Sequence, residues 1–124
     1  MAPRILIAED DEASREGLRY LLAFWGYEVE SAADGQGALE TAVALRPSLI
    51  ITDLAMPKMD GLALLQAVRA VLPETRIIVV TGDGRVENLT GAAEGGPVDC
   101  LTKPVDLDRL KGLITRTLGS DLPR

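Results

Sequence analysis

Four short runs of the chain are apolar at nearly every position: Ile5 to Ala8, Leu49 to Ile51, Ile77 to Val80 and Val98 to Leu101. Runs this short and this continuous suit strands buried on both faces of a parallel sheet. Tyr27 to Ala32 is a fainter strand signal. Between the runs the apolar residues change period. Leu18, Leu21, Leu22 and Trp25 fall at helical spacing, with Gly26 as a C-terminal stop. Asp34 can cap a second helix through Ala38, Leu39, Ala42 and Leu45 that ends before Pro47, and a third runs through Leu64, Leu65, Val68 and Leu72 ahead of Pro73. The last carries Leu107, Leu110, Ile114 and Leu118. From Arg85 to Gly96 the pattern fades, because each interior glycine among Gly91, Gly95 and Gly96 weakens a helix by about 0.8–1 kcal/mol relative to alanine. The order βαβαβαβαβα predicts an α/β fold, an open five-stranded parallel sheet with helices on both faces.

Composition narrows the function classes. A chain of 124 residues, 47% hydrophobic, is one domain with a core of about 4–118 and a polar end at 119–124. No apolar run is long enough for a membrane span, and the N-terminus leads directly into the first strand without signal-peptide architecture. The single cysteine, Cys100, cannot form an internal disulfide, which points to a reducing, cytoplasmic setting. A net charge of −6 argues against direct nucleic-acid binding, which needs a basic patch. The chain has no histidine, so it offers neither a histidine base nor a histidine metal ligand.

In such a sheet, functional groups gather at the carboxyl ends of the strands. Glu9, Asp10 and Asp11 follow the first strand, Asp53 the third, Thr81 and Gly82 the fourth, and Thr102, Lys103 and Pro104 the fifth. Carboxylates brought this close raise one another's pKa unless a cation neutralises them, and an all-oxygen set suits a hard divalent ion such as Mg2+, with Mn2+ as a substitute. A metal and an ammonium flanking one carboxylate suit phosphoryl transfer, where charge spreads over the transferring oxygens.

These motifs resemble the receiver domains of two-component response regulators, the CheY-like family with a flavodoxin-like (βα)5 fold. The matching residues are Glu9-Asp10 after ILIA, Asp53 followed by Met56-Pro57 and Asp60-Gly61, Thr81 after IIVV, and Leu101-Thr102-Lys103-Pro104, five motifs in order at successive strand ends. The resemblance implies that Asp53 accepts a phosphoryl group from the phosphohistidine of a sensor kinase or histidine phosphotransfer protein. It implies further that Glu9, Asp10, Asp53 and the main-chain carbonyl of Ala55 hold Mg2+, that Thr81 swings its hydroxyl toward the phosphoryl group, and that Lys103, before a cis Pro104, pairs first with Asp53 and then with phosphate. Output would be a phosphorylation-dependent partner or an effector domain on a longer chain, with no enzymatic activity beyond self-phosphorylation and autodephosphorylation. The residues two after Asp53 and Thr81, Ala55 and Asp83, would flank the path of hydrolytic water.

Duller roles compete at single positions. Asp11 reads as a helix-start acid and Asp60 as a cap of the third helix, while Phe24 and Trp25 read as packing residues, Trp25 at the far end of the first helix from the acids. Cys100 stands where the family commonly has tyrosine or phenylalanine, so an aromatic rotamer switch is missing; it reads as a small buried apolar residue, with redox sensitivity as the other option. The alternative function is a metal-dependent phosphatase of the haloacid dehalogenase kind with Asp53 as nucleophile. That class wants a second acid two residues on, where this chain has Ala55. A nucleotide- or flavin-binding module ranks lower, because Glu9-Asp10-Asp11 would repel a phosphate at the first strand end.

Overall fold

The computed structural model describes the backbone of residues 3–53, 61–82 and 98–118. The elements are β1 (Arg4–Ala8), α1 (Glu12–Phe24), β2 (Glu28–Ala32), α2 (Gly35–Leu45), β3 (Leu49–Asp53), α3 (Gly61–Val71), β4 (Arg76–Thr81), β5 (Val98–Thr102) and α4 (Leu107–Leu118). Each predicted strand and four of the predicted helices are present. The fading segment from Arg85 to Gly96, the Ala55 carbonyl, Met56-Pro57, the Asp60 cap, Asp83 and the polar end 119–124 lie outside the described residues.

Local chemistry sets the helix ends. Asp11 caps α1 by accepting the Ser14 N–H at 2.8 Å, and Asp34 caps α2 by accepting the Gly37 N–H at 2.7 Å. At the other end of α1, Gly26 takes φ 102°, a left-handed conformation that costs glycine little. Its N–H then bonds the Ala23 carbonyl and that of Tyr27 bonds the Leu22 carbonyl, the paired bonds of a Schellman turn. α2 ends before Pro47, as its sequence suggests, with Arg46 rather than a glycine in the left-handed position at φ 52°.

The five strands form one parallel sheet in the order β2-β1-β3-β4-β5. Side chains alternate between its faces. Ile5 and Ile7 of β1, Leu49 and Ile51 of β3, and Ile78 and Val80 of β4 pack with Leu22 of α1 and Leu110, Leu113, Ile114 and Leu118 of α4. Leu6, Ala8, Ile50, Ile77 and Val79 point the other way, onto Ala38 and Ala42 of α2 and Leu64, Leu65, Val68 and Leu72 of α3. The central strands are therefore buried on both sides, as their unbroken apolar runs require. β2, at the edge, exposes Glu28 and Glu30, charges that discourage pairing with another chain. Cys100, the single cysteine of the chain, is half-buried against the α2/α3 core, which agrees with a packing role. Among the described residues no helix is long and apolar enough to cross a membrane.

Gly17 and Gly112 sit inside helices with exposed backbones, and a Cβ built on either meets nothing within 4 Å. Gly17→Ala and Gly112→Ala are each expected to raise stability by about 0.5–1 kcal/mol through helix propensity alone. Urea melts of the two single variants check this, and a loss of stability at Gly17 would mean that α1 packs more tightly against its surroundings than described.

Candidate functional site

Strand order reverses between β1 and β3, so α1 and α2 leave the sheet on opposite faces and the carboxyl ends of these two neighbours border an open crevice. Glu9 follows β1 directly, its N–H bonded to the Ala32 carbonyl of β2 at 3.1 Å, so its backbone is still held by the sheet. Asp53 is the last residue of β3. One carboxylate oxygen from each of Glu9, Asp10 and Asp53 lies within 4.8 Å of the others. Asp11 stands apart from the trio, occupied as the cap of α1 while its own N–H donates to Glu9 Oε2 at 3.1 Å.

Two further strand ends complete the cluster. β4 and β5 pair in register up to Thr81 and Thr102, and the Lys103 N–H donates to the Thr81 carbonyl at 2.8 Å, tying the lysine to the end of β4. Thr81 is buried. The Lys103-Pro104 peptide is cis, as the resemblance implied. The Lys103 ammonium lies 2.7 Å from Asp53 Oδ2 and 3.6 Å from Glu9 Oε1. Sequence reasoning set the ammonium on the far side of Asp53 from the acid pair; instead it spans Asp53 and Glu9, because β1 and β3 are adjacent and both acids come within its reach.

Electrostatics follow from this packing. Glu9 and Asp53 keep only 12% and 11% of their side-chain surface exposed, against 39% for Lys103, so the acids are nearly dry and the cation faces the opening. Burial pushes the Glu9 carboxyl above its ordinary value, the Asp53 charge adds to that push, and the Asp11 N–H and the Lys103 charge oppose it. The leading cause is thus desolvation rather than the mutual repulsion expected from sequence. The hydrogen bond to Asp53 drives the Lys103 ammonium above the usual lysine range. Asp11 is held below the usual carboxylate range, chiefly by the Ser14 N–H.

The sequence-predicted residues Glu9, Asp10, Asp53, Thr81 and Lys103 all stand at the carboxyl edge of the sheet. Missing from that prediction was Arg15, whose Nη1 donates to the Glu9 carbonyl at 3.0 Å. No short motif announces it, since an arginine in the first turns of a helix reads as solvated. A cleft of about 430 Å³ opens beside Asp53 and Lys103, walled by Ser14, Gly17 and Leu18 on one side and Val105 and Leu107 on the other. The donor set is entirely oxygen and compact, which fits a hard divalent cation.

Comparison with known proteins agrees with this geometry. Residues 5–115 match the response regulator receiver domain family. The response regulator MprA of Mycolicibacterium vanbaalenii is 37% identical over 98% of the chain, and MprA of Mycobacterium ulcerans is 38% identical over the same share. The chain spans about half the length of these curated relatives, 54% in each case. Among solved structures, a receiver domain protein from Clostridium thermocellum superposes with a TM-score of 0.87 at 28% identity, covering 95% of this chain and 94% of that one. The chemotaxis protein CheY4 of Vibrio cholerae gives 0.85 at 32% identity, covering 95% of this chain and all of that one.

Proposed function

The chain belongs to the response regulator receiver family, regulatory domains that act as phosphoryl-accepting signalling switches, and from that premise we propose that Asp53 is its phosphoacceptor. The observation that carries the assignment is the 2.7 Å contact between Lys103 Nζ and Asp53 Oδ2 at a strand end where two more carboxylates converge. No observation favours the phosphatase alternative.

In this reading an Asp53 carboxylate oxygen attacks the phosphorus of a phosphohistidine. A P–O bond forms as the P–N bond breaks, and the imidazole leaves with the electron pair and takes up a proton. Lys103 pairs with Asp53 beforehand and with the phosphoryl oxygens afterwards, so its ammonium stabilises charge on both sides of the transfer. Thr81 turns its hydroxyl toward the new phosphoryl group. Glu9, Asp10, Asp53 and the Ala55 carbonyl would hold Mg2+ or Mn2+, which supplies charge neutralisation to the transferring oxygens when bound. The cleft beside Gly17 and Val105 admits the donor. A sensor kinase or phosphotransfer protein on the cytoplasmic side supplies the phosphoryl group, and the output is a partner protein or a further domain of a longer chain rather than nucleic acid bound by this domain. Its own chemistry is limited to self-phosphorylation and autodephosphorylation.

Incubation with Mg2+ and acetyl phosphate is expected to add one phosphoryl group to the wild-type chain and none to Asp53→Asn, read by intact-mass spectrometry. Equal labelling of the two proteins would overturn the assignment.

A further inference from the structure

Arg15 makes two hydrogen bonds that reach back over the turn between β1 and α1. Its main-chain N–H donates to the Asp11 carbonyl at 2.9 Å, the first helical bond of α1, and its guanidinium Nη1 donates to the Glu9 carbonyl at 3.0 Å. These two carbonyls flank Asp10. The Glu9 carbonyl lies one residue past the end of β1, beyond the last paired register position, Ala8 with Thr52. It is half-buried ground where a backbone acceptor needs a partner. Asp10 itself is exposed, unlike Glu9 and Asp53, so little packing holds it in place.

We propose that Arg15 is a positioning residue for cation binding: by bonding the Glu9 carbonyl, its guanidinium adds to the main-chain bond at Asp11 a second tie that fixes the turn presenting the Asp10 carboxylate to the site shared with Glu9 and Asp53. The inference rests on the reading of Glu9, Asp10 and Asp53 as metal ligands. Its sign separates it from simple electrostatics. A guanidinium beside a cation site repels the cation, so if charge were its whole effect, removing Arg15 would strengthen metal binding. A positioning role predicts the reverse, because groups that orient metal ligands typically cost 10–100-fold in affinity when removed.

The test uses Mn2+ as the probe, with free ion counted by electron paramagnetic resonance. Arg15→Met, which keeps the aliphatic stem and loses the donors, is expected to bind Mn2+ about tenfold more weakly than wild type at an unchanged melting temperature. Arg15→Lys, which keeps a cationic donor, is expected to recover to within about threefold. The rate of phosphorylation by acetyl phosphate at saturating Mn2+ is expected to match wild type, which places the defect in presenting the ligand and not in the transfer. If Arg15→Met does not fold, Arg15→Gln takes its place with the same outcomes. Binding that is unchanged or stronger in the variant overturns the proposal, whereas a wild-type chain that binds no Mn2+ overturns the ligand assignment beneath it as well.

Discussion

Lys103→Met is expected to slow phosphorylation of Asp53 by acetyl phosphate about 10²–10³-fold while leaving it detectable, the usual loss when one preorganised donor is taken from a site of developing charge. The ammonium touches Asp53 at 2.7 Å and Glu9 at 3.6 Å, so it serves both carboxylates together. Its removal also frees the oxygens for which it competes with a divalent cation, so the variant is expected to bind Mg2+ more tightly than wild type. The two effects pull in opposite directions at low metal, and rates must be compared at saturating Mg2+. Any response of the output surface to phosphorylation is expected to weaken in the variant, since the ammonium that bridges β5 to the end of β3 at Asp53 is lost. An unchanged rate at saturating Mg2+ would mean that the lysine is a structural counterion to the acids and no part of the transfer.

The largest effect on stability is expected at Leu22. It is the one fully buried side chain of α1, at 0% exposure, and it packs into the core shared by the sheet and α4. Leu22→Ala removes that anchor and leaves a cavity, a change that costs about 2–5 kcal/mol. Small domains hold only about 5–15 kcal/mol in total, so the variant would lose a large share of its stability. The same helix carries a contrasting pair. Tyr20 and Phe24 are 79% and 82% exposed, and truncating either to alanine is expected to shift stability by no more than about 0.5 kcal/mol. Urea melts of the three variants decide the matter: a lower midpoint for Leu22→Ala at constant slope, with the aromatic variants near wild type, fits the described packing. A large loss at Phe24 would mean that the outer face of α1 is covered in solution.

What the sequence by itself determined was local. Continuous apolar runs mark the central strands β1, β3 and β4 because a strand buried on both faces has no polar side to show, whereas β5, at the sheet's edge, carries Asp99 within its run. Asp11, Asp34 and Gly26 mark helix ends because capping depends on atoms three to five residues apart, within reach of any reading of the chain. The acids, the threonine and the lysine could be identified because each follows a strand directly, and their motifs carried the family resemblance.

The tertiary structure decided everything that depends on which strands are neighbours. The adjacency of β1 and β3 brings Glu9 and Asp53 together, and the pairing of Asp53 with Val80 sets Thr81 one residue beyond Asp53 on the next strand. Lys103 reaches Asp53 across fifty residues of sequence and reaches Glu9 as well, a geometry that no local pattern encodes. Arg15 escaped the sequence reading for the same reason: a side-chain bond to a carbonyl six residues earlier exists only once the turn between β1 and α1 has closed. Arg46 in the left-handed region is a similar case, since the usual glycine signal is missing and the following Pro47 gives only the place of the stop. Strand order and register are fixed by the two cores, which bury alternate residues of every central strand against different helices; a shift by one residue would turn each apolar set to the wrong face and carry the acids out of reach of the lysine.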